Sequence, residues 1–508
     1  VESDSKHSQV NQLKVVDIGI STHNEPIAYL REDSYICRAE GFSANSRILV
    51  KTPNCKVIAT LNVVDCHVLP KYHIGLSKIA LQQLQVLPGD LVSLQHPAVV
   101  KSISAVRKKM FKHKLTKDDL NNIISDICEH RYSDIEVACF LSVCAGNHLN
   151  KDEIIGLTMA MVNVGERLTW SAQKPVFDKH CIGGLPGNRT SPLVVSIVSA
   201  AGHIMPKTSS RAITSPAGTA DTMDTLTHVD LSLRDMQQVV QDTNACLAWG
   251  AAVNLSPADD LLIRIEKALD LDSEGQLIAS VLSKKIAAGS KHILIDIPVG
   301  PTAKVRSQAQ ANRLIHLFTD VGDACGVHIR CVVTDGSKPI GHGIGPVEEA
   351  RDVLTVLQCN ETAPQDLRQR ALLLSAHLLD MAENCGIEQG LEKAELLLDT
   401  GKAYQQFKRI LIAQGGIKTL SYARFSCVQV AKYSGLISAV DNRRLARLAK
   451  LAGAPLSPGA GLRLHANTGD RIYAGQPLFT LLSDSQGELD YALGYYADNA
   501  DIFSVKRE

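Results

Sequence analysis

The stretch KHCIGGLPGNRTSP (residues 179–192) sets Lys179, His180 and Arg189 around three glycines and closes on two hydroxyls and a proline. Ser191 before Pro192 is a helix start, because serine caps and proline takes the first helical position. LVVSIVSAA then fills the helix, and Gly202 supplies a stop. The glycines therefore deliver bare backbone N–H groups to a helix N-terminus, an anion site by geometry and by dipole. Thr190 and Ser191 add hydroxyl donors and Lys179 adds charge. The spacing matches neither G-x-x-x-x-G-K-[ST] nor G-x-G-x-x-G, so it is not the usual nucleoside-triphosphate or dinucleotide loop. Three glycines alone are equally compatible with a tight structural turn.

Two further segments carry chemistry. KTSSRAITSPAGTADTMD (207–224) holds seven hydroxyls, Thr208, Ser209, Ser210, Thr214, Ser215, Thr219 and Thr222, together with Arg211. Singly, each hydroxyl is explained by a bond to its own backbone; as a set beside an anion loop they point to ligand contacts. EGQLIASVLSKKIAAGS (274–290) has helical spacing and places Ser280 and Lys284 four apart on one face. Ahead of it, LSPADD (255–260) and LDLD (269–272) add carboxylates, Asp272 among them, which either cap helices or act on a ligand.

The elements that must position these residues follow from periodicity. Residues 1–12 are polar and expected to form a flexible tail. Residues 13–103 alternate as in short strands, RILVKT (47–52) and KVIATLNVV (56–64) among them, and predict a small β-barrel-like domain. Residues 104–172 turn helical and, with about 257–288, predict a helical domain; Ser133 caps one of its helices. Residues 175–256 with about 289–400 alternate glycine loops, helices and buried strands such as KHILIDIPVG (291–300) and GVHIRCVVTDG (326–336), the grammar of an α/β domain. Residues 415–508 predict a C-terminal α+β domain. The fold class is thus multidomain α/β.

Composition excludes several functions. Of 508 residues, Lys+Arg and Asp+Glu number 53 each, so the surplus of cations that a nucleic-acid polymer needs is missing. RKKMFKHK (107–114) is read as a solvated face. Thirteen cysteines without a CxxC pair suit a reducing cytoplasm better than a disulfide framework, and Cys325, His328 and Cys331 fit no zinc spacing. The longest apolar run, near 193–205, is broken by Ser199, Gly202 and His203, so neither a membrane span nor a signal peptide is expected.

KHCIGGLPGNRTS, SSRAITSPAGTADTMD, LSPAD, LIASVLSKKIAAG and IPVG together, spanning roughly 179–300, resemble the thymidine phosphorylase, or type II nucleoside phosphorylase, family. Weaker likeness runs from 104 to the C-terminus and includes KPIGHGIGPVEEARDVL (338–354). The N-terminal β domain and SSRAITSPAGTAD resemble the AMP phosphorylase branch. The resemblance implies a helical domain facing a larger α/β domain, a hammerhead-like C-terminal domain, and a homodimer or larger assembly. It implies that inorganic phosphate attacks the anomeric carbon of a nucleoside, or of a nucleoside 5′-monophosphate, releasing the base, with no metal or other cofactor.

By the same resemblance Lys179, Thr190, Ser191, Ser209 and Thr219 match phosphate-holding positions. His180 matches a histidine near sugar and base, an acid or an orienter. Ser280 and Lys284 match base contacts. In the AMP branch Gly183, Ser210, Arg211, Ala212, Ile213, Thr214, Ser215 and Thr219 match the nucleotide site, Asp272 the proton donor and Lys304 a further contact. The thymidine enzymes carry a pyrimidine-binding arginine where this chain reads LIRIEKALDLD, one residue shorter, which brings Arg264 or Glu266 there. Cys181 replaces a serine. A phosphosugar-binding relative of anthranilate phosphoribosyltransferase is disfavoured because its acidic metal motif is not evident, and a silent assembly protein because Lys179, His180, Ser280 and Lys284 are intact.

Overall fold

The computed structural model describes residues 12–22, 25–170, 174–212, 215–250, 255–269, 271 and 273–506. The expected tail therefore lies outside the described residues, apart from Gln12, which opens the first strand. The chain divides into two compact units, Val1–Cys144 and Ala145–Glu508. The dividing point falls inside the stretch expected to be one helical domain.

The first unit begins with a closed barrel. Strands β1 (Gln12–Asp17), β2 (Ile27–Arg31), β3 (Arg47–Lys51), β4 (Lys56–Val64), β5 (His73–Leu76) and β6 (Leu91–Gln95) pair in the order β1-β5-β2-β4-β3-β6, and β6 returns to β1. Alternation in these strands sends Leu13, Val15, Ile48, Val50, Val57, Ala59 and Leu61 inward, as period-two patterning requires. Closure removes both sheet edges. Helices α1 (Tyr35–Glu40) and α2 (Lys78–Leu84) bridge strands. Helices α3 (Ile103–Met110), α4 (Lys117–Cys128) and α5 (Asp134–Cys144) follow. Ser133 caps α5 as expected: its hydroxyl accepts from Glu136 N at 3.3 Å while Glu136 accepts from Ser133 N at 2.7 Å.

The second unit opens with α6 (Lys151–Asn163) and then builds a parallel sheet from β7 (Phe177–Cys181), β8 (Met205–Ser209), β9 (Ala245–Trp249), β10 (His292–Val299) and β11 (His328–Asp335). The ladders run β11-β10-β7 and β8-β9, and a single parallel bridge, Val176 to Ile204, joins the two rows. The intervening helices are α7 (Thr190–Ala200), α8 (Thr219–Asp224), α9 (Leu233–Thr243), α10 (Pro257–Leu269), α11 (Glu274–Ala287) and α12 (Gln308–Ala324). Helix α11 packs on α6. The α/β core is apolar through Leu193, Val194, Ile197, Leu294, Leu374 and Phe407. It is completed by α13 (Pro346–Leu357), α14 (Gln365–Glu383), α15 (Ile387–Asp399) and α16 (Lys402–Ala413).

The chain ends in an α+β module. A short strand, β12 (Gly343–Ile344), joins β13 (Phe425–Val430), β15 (Gly461–Leu464) and β17 (Pro477–Ser483) in the order β12-β15-β17-β13, while β14 (Gly435–Val440), β16 (Arg471–Ile472) and β18 (Phe503–Lys506) form a second sheet, β16-β14-β18. Helices α17 (Asn442–Leu451) and α18 (Gln486–Asp498) pack on them. All thirteen cysteines are free thiols. Among the described residues no helix is long and apolar enough to cross a membrane.

Candidate active site

The chemistry-bearing segments converge at the carboxyl edge of the parallel sheet, where open α/β sheets place their ligands. The glycine loop leaves the end of β7, and the hydroxyl segment leaves β8. Gly184 and Gly187 adopt φ of +81° and +74°, and neither has room for a Cβ: at Gly184 it would overlap Lys304 N, in the loop after β10, and at Gly187 Ile340 O, beyond β11. Gly183 also has positive φ, +94°, but faces open space. Two glycines thus pack the loop against its neighbours while the third leaves an unobstructed face.

Helix α7 begins two residues earlier than expected. Arg189 occupies the N-cap position, no side chain caps the helix, and Ser191 lies inside the first turn rather than capping it. The Arg189 side chain is tied down at three points. Its Nε donates to Glu349 Oε2 at 2.6 Å, one terminal nitrogen to Thr219 Oγ1 at 2.7 Å and the other to the Ala217 carbonyl at 2.9 Å. This arginine ties the loop to α8 and α13, so it is a brace rather than a free cation. The first amides of α7 have no side-chain cap to compete with an anion.

Beneath the loop lies a buried charge cluster. Asp178, Lys179, Lys207, Lys285 and Asp296 are each at most 3% exposed. Lys179 Nζ donates to Thr190 Oγ1 at 2.7 Å and stands 3.9 Å from Asp296. Lys285 and Lys207 share Asp178, at 2.8 and 3.5 Å, and both donate to the Thr208 carbonyl. With every group ionised, three ammonium groups face two carboxylates. One positive charge is uncompensated where water cannot screen it, and an anion above it is favoured. Burial, opposed by Asp178, pushes the Lys285 ammonium down to about 7.

His180 is half-buried at the end of β7. Burial, then Lys285, Lys207, Lys284 and Lys179, hold its imidazole well below the ordinary value, so it is neutral at pH 7. A neutral ring offers one N–H and one lone pair. Beside it, burial and Asp296 push the Cys181 thiol up to about 12, which keeps it protonated; Asn188 Nδ2 lies 3.4 Å from its sulfur.

Helix α11 contributes Ser280 and Lys284 from one face, 3.3 Å apart. Lys284 Nζ also donates to the buried Asp259 at 2.6 Å, which fixes the ammonium while leaving it 23% exposed. The LSPADD carboxylate therefore positions a lysine instead of capping a helix. Arg264 and Glu266 both lie on α10.

The remaining expected residues are distributed unevenly. Thr219 opens α8 and is held by Arg189. The Ser209 hydroxyl donates to the Ala248 carbonyl at 3.2 Å. Ser210 and Ser215 are exposed, the latter bonding Ala217 O, and Ala212 N donates to Asp221. Arg211 is spent on Asp221, Asp224 and Asp230 at 3.4, 3.0 and 3.5 Å and lies 4.8 Å over the Trp249 ring. Ile213, Thr214 and Asp272 lie outside the described residues. Sequence reasoning missed Asp178, Lys207, Lys285, Asp296 and Glu349. Its available signal was the double lysine at 284–285, since adjacent residues on a helix point about 100° apart and one of them must turn inward.

An α/β domain with an anion-receptive edge and a helical layer is the architecture of a family of glycosyl transferases. Family models match accordingly: the glycosyl transferase family helical bundle domain over residues 103–165, its a/b domain over 173–404, and the pyrimidine nucleoside phosphorylase C-terminal domain over 436–502. The chain is 50% identical over 490 residues to a "putative thymidine phosphorylase" of Legionella pneumophila (strain Paris), covering 96% of this chain and 95% of that one. A protein of the same description from Ralstonia nicotianae is 51% identical over 488 residues, 96% of each chain. The crystal structure of anthranilate phosphoribosyltransferase from Thermus thermophilus shares the fold, with a TM-score of 0.52 and 17% identity over 61% of this chain and 99% of that one. The chain belongs to the thymidine phosphorylase family, and it is an enzyme, a pentosyltransferase.

Proposed function

We propose that the enzyme cleaves the N-glycosidic bond of a nucleoside with inorganic phosphate, giving free base and pentose 1-phosphate. The observation that carries this is the buried cluster of Lys179, Lys207 and Lys285 with Asp178 and Asp296, positive by one charge when Lys285 is protonated, directly under an open glycine loop and an uncapped helix start. Such a site favours an anion of high charge, and phosphate is a reactant here, not an anchor. Thr190 and Thr219 both accept from cations, Lys179 and Arg189, so each hydroxyl proton remains available to a phosphate oxygen.

As the bond to the base breaks, positive charge develops on the sugar and negative charge on the base. The phosphate dianion stabilises the first. Lys284, held by Asp259 beside Ser280, neutralises the second by hydrogen bonding. His180, neutral in the free enzyme, orients the substrate through its N–H; a bound dianion would raise its proton affinity and let it donate a proton. Asp272 is the alternative donor.

A nucleoside 5′-monophosphate is the second substrate considered, giving ribose 1,5-bisphosphate. What favours it is Lys304, whose backbone lies against Gly184 at the rim of the loop; Arg211, ringed by three carboxylates, is a poor second cation. Base release from thymidine, uridine, AMP and CMP, with and without phosphate, tests both. Faster release from thymidine or uridine supports the nucleoside reaction, faster release from AMP or CMP the nucleotide reaction, and no phosphate-dependent release from any of the four rejects both for this panel.

A further inference from the structure

The motif KPIGHGIGPVEEARDVL is not absorbed by phosphorolysis. Its first part follows β11 and ends in β12, which pairs with β15 through Gly343 to Arg463 and Ile344 to Leu462. Between this segment, the start of α14 and the 464–470 turn lies a cavity of about 600 Å³. Small-molecule sites fall in that size range. None of the residues assigned above to the phosphate or the nucleoside lines it. One wall is preformed: Ile340 N donates to Pro186 O at 3.2 Å, and the amides of His342 and Gly343 donate to Asp352 at 2.7 and 2.6 Å.

The lining is unbalanced in its hydrogen bonding. Its carboxylates meet backbone amides. Asp366 accepts from Gly341 N and Leu367 N, and Asp470 from Asn467 N. Arg463 is offset by Glu348 at 2.9 Å and Asp352 at 3.3 Å. Its donors are unspent. Among the described residues the half-buried Lys338 ammonium and the His342 imidazole make no hydrogen bond or ion pair, and the Thr468 hydroxyl oxygen is buried without a partner. Among the described residues His465 engages Nε2 alone, on Thr480 at 2.7 Å. A cavity whose carboxylates are held by amides and whose cationic donors are unspent suits an acceptor-rich anion. Burial, then Arg463 and His342, lower the affinity of His465 for its proton, the field an incoming anion would relieve. The volume exceeds that of a bare oxyanion, and Ala363, Leu464 and Ala466 add an apolar side for an organic body.

We propose that this crease is a second ligand site, separate from the phosphate cradle, and that it binds a phosphate monoester through Lys338, His342, His465 and Thr468. Calorimetric titration of the full chain with ribose 5-phosphate, and separately with inorganic phosphate, tests it. The expected result is a ribose 5-phosphate site that survives Lys179→Ala and weakens at least tenfold in the Lys338→Ala/His342→Ala double variant. Thr468→Val, the milder change, should weaken it severalfold should the double variant fold poorly. Equal affinity for the two probes would keep an anion site but overturn the monoester assignment. Binding unaffected by Lys338→Ala/His342→Ala and Thr468→Val, binding abolished by Lys179→Ala alone, or no binding of either probe would overturn the proposal.

Discussion

Arg189 and Glu349 lie 160 residues apart in the chain, yet the guanidinium Nε sits 2.6 Å from a carboxylate that is 1% exposed. Burial raises the affinity of Glu349 for a proton, and Arg189 opposes this. Breaking such a pair from one side leaves a buried charge without compensation, which costs about 3–5 kcal/mol. Arg189→Met should therefore lower the thermal midpoint sharply and raise the KM for phosphate, because the loop loses its tether to Thr219 as well. Arg189→Met/Glu349→Gln should recover part of the midpoint. Calorimetric melting with phosphate-dependent kinetics checks both.

Lys179→Ala removes a charge-assisted bond of about 1.5–3 kcal/mol. The expected loss in kcat/KM for phosphate is roughly 10- to 150-fold, with a smaller change for the nucleoside. A variant with wild-type phosphate dependence would remove Lys179 from the cradle.

Asp259→Asn should act through Lys284, whose ammonium it holds at 2.6 Å. We expect kcat/KM for the nucleoside to fall by about tenfold, the worth of one displaced hydrogen bond, while the KM for phosphate stays put. Steady-state kinetics with each substrate varied in turn separates the two.

The glycines should differ. Alanine at Gly183 meets nothing within 4 Å and costs only the left-handed backbone, about 1–2 kcal/mol. Alanine at Gly184 adds an overlap with Lys304 N, a backbone atom that cannot swing aside. Gly184→Ala should therefore melt at a lower temperature than Gly183→Ala and lose more affinity for phosphate.

Lys285 makes stability depend on pH. Unfolded, it keeps its proton up to about 10.5; folded, burial lets it go near 7. Between these values the unfolded state binds more protons, so its contribution to stability rises with pH, by at most about 1.4 kcal/mol per pH unit. Below pH 7 both states are protonated, and the folded state bears the full cost of the buried charge. Lys285→Met should flatten this rise. Denaturant titrations of both proteins at pH 7, 8 and 9 read the difference, and parallel profiles would contradict it.

Much of the plan is carried by local sequence. Period-two alternation marks the barrel strands, glycine-ended apolar runs mark β10 and β11, and the spacing of Ser280 and Lys284 sets them on one helix face, because each depends only on neighbours in the chain. The loop KHCIGGLPGNRTSP marks a candidate anion site for the same reason. Tertiary structure decided which charges serve it. Arg189 reads as a loop cation but is a brace, Arg211 reads as a ligand but is held by three carboxylates, and Asp178, Lys207 and Lys285 are hidden in ordinary strand and helix text. A charge's role depends on how far water is excluded from it and on which opposite charge faces it. Both are set by strands and helices distant in sequence, and no local pattern records them.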